Sequence, residues 1–273
     1  MRHMNITETS GGARLRTLRE AQGMTQLALE LEASLGTGYL QRLELGKVQQ
    51  PQRETLERIL AVLRVSFAER RAVLELFGYA AGVFAPTDDE VQWAVAVFRT
   101  AVEATCDPIP AYLLDCSHRL LAWTETIDTL FGADCFRQRQ DGYISMPRLV
   151  FDPVYRIAPS VLNDAEFFRA QIRNIQYERQ RSCDADWYNG FVEGMRRFPL
   201  FDRYWDQYAA EQTPTALRPL ALLVFRQGDQ RLRFRLISEP FVQDNRFRVI
   251  YYLPADSDTI QQCNRWQAYV NRQ

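Results

Sequence analysis

Thr37, Gln41 and Arg42 sit close together on a short polar stretch, in a chain that otherwise offers little reactive chemistry. A hydroxyl, a carboxamide and a guanidinium can donate and accept hydrogen bonds, but they supply no activated nucleophile and no set of metal ligands. The chain has only 2 histidines, His3 and His118, so a Ser/His/Asp relay or a histidine-rich metal site has almost no material. His118 falls in a hairpin turn and is expected to be solvated. Gly36-x-Gly38 lacks the third glycine and the preceding strand of a dinucleotide-binding turn. Asp184 with Asp186, and Asp88 to Glu90, read as helix starts rather than catalytic carboxylate pairs. The 5 cysteines, Cys106, Cys116, Cys135, Cys183 and Cys263, are widely spaced with no Cys-x-x-Cys pair, which favours reduced thiols over zinc or a disulfide framework. The chemistry implied is binding, with no enzyme activity, no metal and no cofactor.

The elements that position these residues come from a chain of 273 residues, a length that suits two domains. The formal net charge is −1, but residues 1–80 carry 11 basic and 9 acidic residues, against 22 and 25 in the remainder. That slight asymmetry points a polyanion partner toward the N-terminal end. Lys47 is the single lysine among 33 basic residues, and the bias has no physical account. No apolar run is long enough to cross a bilayer and no signal peptide is read, so a cytoplasmic location is expected.

Five short helices are read before residue 80. Ala13 to Gln22 places Leu15, Leu18 and Ala21 on one side, and Gly23 stops it. Thr25 caps a second helix whose inward stripe reads as Leu27, Ala28 and Leu31. Ser34-Leu35-Gly36 makes a tight turn into a third helix, held by Leu40 and Leu43. A fourth, from Gln52, buries Leu56, Ile59, Leu60 and Leu63, and a fifth, from Phe67, buries Val73, Leu74 and Phe77. Leu15-Arg16, Arg19, Thr25-Gln26, Leu27-Ala28, Tyr39-Leu40, Arg42-Leu43-Glu44, Gly46-Lys47 and Pro51 together resemble the helix-turn-helix domain of the Cro/repressor-like (XRE) family over about residues 12–78. The resemblance implies that the third helix enters the major groove of double-stranded DNA. It carries DNA contacts onto Thr25, Gln26, Thr37, Tyr39, Gln41, Arg42 and Lys47. In that role Gln26 and Lys47 suit phosphates, while Thr37, Gln41 and Arg42 suit base edges. Arg19 and Glu44 resemble the family's structural ion pair. Gly38 departs from the pattern at a position where a longer side chain often meets a base.

Residues 81–105 read as a linker and a connecting helix, opened by the capping box Thr87 to Glu90 and presenting Val91, Ala94, Val95, Phe98 and Val102 on one face. From 106 to 273 the pattern is strand (Ile109–Asp115), turn, strand (Leu120–Thr124) and helix, as in a PAS-like domain. Helices follow, one of them capped by Asn163. The closing strands are Leu220–Arg226, a second in which Leu232, Phe234 and Leu236 alternate with Arg231, Arg233 and Arg235, and Arg246–Leu253; a helix ends the chain. Pro110-Ala111, Leu114-Asp115, Leu121-Ala122-Trp123, Phe151-Asp152-Pro153 with Arg156, and Pro199-Leu200-Phe201 before Trp205 resemble the MmyB-like ligand-binding domain. Thr124 departs from it, standing where asparagine is frequent.

The fold class expected is therefore multidomain: an all-α five-helix helix-turn-helix domain followed by an α+β PAS-like domain with an antiparallel sheet. The resemblance implies a bound fatty acid in some members, and so a transcription regulator that responds to a long-chain fatty acid or a similar apolar molecule. Such a ligand would meet Phe234 and Leu236 as floor, Trp123 and Phe131 as one wall, and Phe168, Ile172, Phe191, Met195, Phe201 and Trp205 as lid, with Arg156 as an anchor. The same residues also suit a filled core, and Arg156 also suits a tie to Asp152. A homodimer is expected on DNA. The alternative is a regulator whose C-terminal domain serves only dimerisation or recruitment of a partner protein.

Overall fold

A computed structural model of the chain describes residues 11–79, 85–105, 109–132, 144–181, 185–208 and 221–270. His3, Cys106, Cys135, Cys183, Asp184 and Leu220 lie outside the described residues. The chain divides into two compact units, residues 1–82 and 83–273. The linker and connecting helix read at 81–105 thus fall almost wholly in the second unit.

The first unit contains α1 (Gly11–Ala21), α2 (Gln26–Glu32), α3 (Tyr39–Glu44), α4 (Arg53–Val62) and α5 (Phe67–Leu76). Local chemistry sets the ends of these helices. Gly23 turns the chain at φ 66° after α1. The Thr25 hydroxyl then accepts the Ala28 N–H at 3.1 Å, supplying one of the bonds that a first helical turn lacks. After α3 the N–H of Lys47 reaches the Arg42 carbonyl at 2.9 Å and that of Gly46 the Leu43 carbonyl at 3.0 Å, with Gly46 at φ 69°. This is a Schellman turn, and it satisfies the carbonyls at the helix end. Leu15, Leu29, Leu40, Leu43, Leu56, Ile59, Leu60, Val73 and Leu74 share one core.

Two features differ from the pattern read in the sequence. Ala21, Leu27 and Leu31 are exposed, and α2 instead turns Leu29, Glu30 and Ala33 inward. Leucines at 27, 29 and 31 populate opposite sides of a helix, so their spacing alone does not fix its phase. The buried end of α1 also begins earlier, at Gly11 and Gly12. A Cβ on Gly12 would lie 2.2 Å from the Leu43 carbonyl oxygen, so only glycine lets α1 and α3 approach this closely.

The second unit is built on a five-stranded antiparallel sheet. Its strands are β1 (Ala111–Asp115), β2 (Leu120–Trp123), β3 (Ala221–Gln227), β4 (Gln230–Pro240) and β5 (Phe247–Pro254), in the order β2-β1-β5-β4-β3. One face is covered by α6 (Asp88–Thr105). Val91, Ala94 and Phe98 pack there against Ala111, Leu113, Leu121, Phe247 and Val249. The capping box forms: the Thr87 N–H donates to Glu90 Oε2 at 2.8 Å and the Glu90 N–H to Thr87 Oγ1 at 3.4 Å. Arg246, buried before β5, ties α6 down by donating to Glu90 at 2.6 Å and to Asp244 at 2.7 Å. Burial works to lower its pKa, but the hydrogen bonds to Asp244 and Glu90 and the charges of both carboxylates raise it overall.

The other face carries α7 (Glu125–Phe131), α8 (Met146–Phe151), α9 (Asp164–Arg181), α10 (Ala185–Arg196), α11 (Pro199–Tyr208) and α12 (Ser257–Val270). Leu120, Ile127, Leu149, Phe168, Tyr188, Phe201, Phe225, Phe234, Tyr252 and Trp266 meet in the larger core. On β4, Leu232 and Phe234 face this layer while Arg231, Arg233 and Arg235 are exposed, as the alternation requires. Asn163 takes a different role from the side-chain cap expected of it. Its amide donates to the Leu222 carbonyl at 2.7 Å and accepts the Val224 N–H at 2.8 Å, which fastens the start of α9 to the outer edge of β3. An edge strand left open would present unpaired groups.

The approach of α1 to α3 generates a test. Gly12→Ala is expected to lower stability by about 2 kcal/mol or more, because backbone rather than a movable side chain must give way. Gly36→Ala meets nothing within 4 Å, so it is expected to change stability by less than about 0.5 kcal/mol. Thermal unfolding of the two variants checks this; equal melting temperatures would overturn it.

Candidate functional site

The DNA-facing surface read in the sequence is assembled on α3 and on the turns at its two ends. Leu40 and Leu43 are fully buried beneath it, while Gln41 and Arg42 are exposed on α3. Thr37 is also exposed but precedes the helix, as does Gly38, which caps α3 at φ 77°. Gly38 is therefore not a helical position lacking a base-facing side chain: a residue with a Cβ would be strained there. Arg42 extends over the half-buried Tyr39 ring, 6.0 Å from its centroid. Lys47 is exposed just past the Schellman turn. Thr25 is exposed at the cap of α2.

Two buried carboxylates hold this surface from beneath. Glu30 on α2 accepts the Gly38 N–H at 3.0 Å and the Leu40 N–H at 2.8 Å. The first turn of α3 has no side-chain cap of its own, so Glu30 supplies it from the neighbouring helix. Glu44 accepts Arg19 Nε at 2.7 Å and Nη2 at 3.1 Å, a two-pronged pair that joins α1 to the end of α3. Gln26 donates its amide to the same carboxylate at 2.7 Å, so its N–H is engaged within the domain. Glu30 was not singled out by sequence reasoning. The available signal was a charged residue beside Leu29 in a helix with too many leucines to define one face.

In the second unit, Phe168, Ile172, Met195, Phe201, Trp205 and Phe234 lie in the larger core, and Trp123, Phe131, Phe191 and Leu236 pack half-buried against it. The structure thus brings all ten apolar residues into one layer. Ring centroids lie 5.1 Å apart for Phe151 with Phe201 and 5.5 Å for Phe201 with Trp205, the spacing of packed aromatics. Arg156 is not in this layer. It is exposed, in the left-handed region at φ 55°, at the end of the 3₁₀ turn Pro153–Tyr155. Asp152 pairs instead with Arg148, at 3.4 Å, and accepts the N–H of Val154.

His118 corrects the sequence reading most sharply: it is 3% exposed, not solvated. Asp115, fully buried, folds the β1–β2 turn by accepting the N–H groups of Ser117 and Arg119, each at 2.9 Å. That turn drives His118 inward at φ 59°. The Tyr188 hydroxyl donates to the Ile175 carbonyl at 2.9 Å, so at the 2.6 Å contact between them His118 Nε2–H is the donor to the Tyr188 oxygen. Nδ1 is then bare and accepts Arg248 Nη2–H at 3.2 Å. The neutral ring has both nitrogens satisfied. Burial first, and the Arg248 charge second, push its pKa down to about 3.

A groove of about 350 Å³ lies on the α6 side of the sheet, lined by Val97, Phe98, Val102, Ile109, Tyr251 and the segment from Glu239 at the end of β4 to Gln243. None of the apolar residues assigned to a ligand from the sequence lines it. Among the described residues no group of three or more His, Cys, Asp or Glu side chains is placed to hold a metal, and no helix is long and apolar enough to cross a membrane.

A helix-turn-helix surface joined to a PAS-like sheet with a helical cover defines a transcription regulator with a separate sensing domain. Residues 12–73 match the family model of a helix-turn-helix domain, and residues 95–264 match that of the MmyB-like transcription regulator ligand binding domain. The chain belongs to the MmyB-like transcription regulators. No curated protein matches it.

The buried histidine makes stability depend on pH in a defined direction. Its folded pKa of about 3 lies below the unfolded value of 6.5, so its contribution is present above pH 6.5 and is lost progressively as pH falls toward 3. Each pH unit between those limits costs at most about 1.4 kcal/mol. Unfolding of the full chain between pH 7 and 5.5 is expected to show this slope, and His118→Gln to remove it. An unchanged slope in the variant would place the titration elsewhere.

Proposed function

We propose that the protein is a cytoplasmic, sequence-specific DNA-binding regulator. On this reading it engages duplex DNA through α3 and responds to a long-chain fatty acid or similar apolar molecule held by its second unit. The observation that carries the reading is the exposed hydrogen-bonding surface of α3, fixed from beneath by Glu30 and Glu44. Thr37, Gln41 and Arg42 meet base edges. Arg42 suits a two-pronged contact to guanine, a discrimination of about 1–3 kcal/mol. Lys47, Thr25, Tyr39 and Gln26 line the phosphate side, and Gln26 acts chiefly by holding Glu44 in place. The working form is a homodimer, since one such module covers a small interface and a second half-site supplies affinity and spacing.

The ligand belongs with Trp123, Phe131, Phe191 and Leu236, the half-buried residues at the margin of the larger core. Burying an acyl chain of about a dozen methylenes gives roughly 10 kcal/mol before ordering and association costs, enough for micromolar binding with one polar anchor. A second reading is a second unit that only joins copies or recruits a partner. The exposure of Trp93, Val97 and Val242 beside the groove on the α6 side favours it.

Footprinting on a selected operator is expected to protect two half-sites centred about 34 Å apart, or a multiple of that. Arg42→Ala is expected to relax base preference at one position of each half-site. Lys47→Ala should weaken all duplexes alike and lower the salt slope by about 1. Base preference unchanged in Arg42→Ala would remove α3 from the readout.

Titration of the delipidated protein with fatty acids of increasing length tests the ligand. Affinity is expected to rise with length until the space is full, and Phe191→Ala to weaken it. Flat, weak binding at every length would leave the second reading.

A further inference from the structure

We infer that Arg248, and not the exposed Arg156, is the head-group anchor for a carboxylate-bearing apolar ligand, and that Glu178, its carboxylate partner in the structure, is the group such a ligand displaces. This deepens the fatty-acid reading above and rests on it.

Arg248 lies on β5 opposite Leu114 of β1. Alternation puts its side chain on the same face as Ile250 and Tyr252, which both belong to the larger core. It is 16% exposed, a cation set into an apolar layer. Its guanidinium is held in place: Nη2 donates to His118 Nδ1, and Nη1 to Glu178 on α9. His118 has no other acceptor to offer, because its Nε2–H is given to Tyr188. A neutral ring accepting from the guanidinium orients the fork without neutralising it, which makes His118 a positioning residue. The charge on Arg248 is matched by Glu178 alone among the groups bonded to it in the described residues.

Glu178 comes from the C-terminal end of α9, where the helix dipole disfavours a negative charge. A ligand carboxylate offers Arg248 an equivalent pair of oxygens, and the displaced Glu178, whose side chain is 19% exposed, turns to solvent. The exchange forms and breaks hydrogen bonds only, and the buried cation keeps one carboxylate partner before and after. An apolar approach adjoins the anchor. Trp187, 40% exposed, stacks on Phe191 with centroids 5.5 Å apart, and Phe191 stacks on His118 at 5.6 Å. The half-buried Phe191 ring is thus the cover of the polar cluster and borders the layer in which an acyl chain would lie.

The test uses the full chain, delipidated, with dodecanoate and dodecanol as probes at a pH where the acid is ionised. The wild type is expected to prefer the acid by on the order of tenfold, as a charge-assisted contact requires. Arg248→Gln should abolish that preference while leaving alcohol binding in place, and Arg156→Gln should keep it. Glu178→Gln, which removes the internal competitor, should tighten the acid severalfold and leave the alcohol unchanged. This variant decides the matter if Arg248→Gln does not fold. Acid preference surviving in Arg248→Gln, or acid affinity unaltered in Glu178→Gln, would overturn the assignment. Equal binding of acid and alcohol by the wild type would overturn the anchor but keep the apolar ligand. Binding of neither probe would remove the fatty-acid reading itself.

Discussion

Every layer of the second unit depends on β5. It is hydrogen-bonded along both edges, to β1 and β4, and flanked by packed layers on both faces. Such a strand cannot follow the apolar-in, polar-out rule of a half-solvated sheet. Phe247, Val249 and Tyr251 serve the α6 side, while Ile250 and Tyr252 serve the opposite side. The two arginines that flank its start must therefore be paired where they stand. Arg246 is held by Asp244 and Glu90, which fastens α6 to the sheet. Arg248 is held by Glu178 and His118, which fastens α9 and the β1–β2 turn. A buried cation without partners would cost several kcal/mol, so each arginine dictates the position of the element that carries its carboxylate.

The first unit obeys the same constraint with the signs reversed. Glu30 and Glu44 are each less than a tenth exposed, and each spends its charge on α3: one on N–H groups at its start, the other on a guanidinium reaching from α1. A six-residue helix has too few internal bonds to stand alone. Its geometry is imposed by these two carboxylates and by Leu40 and Leu43. That division leaves Gln41 and Arg42 exposed on a backbone that is fixed from beneath.

What the sequence made legible follows from this. Helices α4 and α5 were readable because Leu56, Ile59, Leu60 and Leu63, then Val73 and Leu74, repeat with one phase, and all are buried. Strand β4 was readable through its strict alternation of leucine or phenylalanine with arginine. The phase of α2 was not, because Leu27, Leu29 and Leu31 offer two faces. Helix α8 and the 3₁₀ turns Pro153–Tyr155 and Ala158–Ser160 went unread because Pro147, Pro153 and Pro159 interrupt any period. His118 was misread for a physical reason: a turn position predicts solvent only when nothing packs over the turn, and α10 does so here. Nor does local sequence separate one buried arginine from the many exposed ones. Arg156 drew attention by its motif, yet burial of a charge is decided by partners 70 and 130 residues away.

Those distant partners also bear on how a sensing domain can be stable both empty and filled. A cavity with an unpaired cation would be costly when empty, and one without a cation would not select a head group. In the structure Arg248 is paired with a carboxylate of the chain itself, Glu178, so no unpaired cation is left in the layer. On the proposal above, exchange for a ligand carboxylate would keep Arg248 paired, and an acyl chain would supply most of the binding free energy. The proposed response would then lie in what the exchange releases. Glu178 would lose its hold on the sheet, and with it the end of α9 would lose one of the contacts that fix it. A ligand shifts a conformational equilibrium only by as much as it binds one state better than the other. On the proposal above, that difference would be located in the ion pair between Arg248 and Glu178.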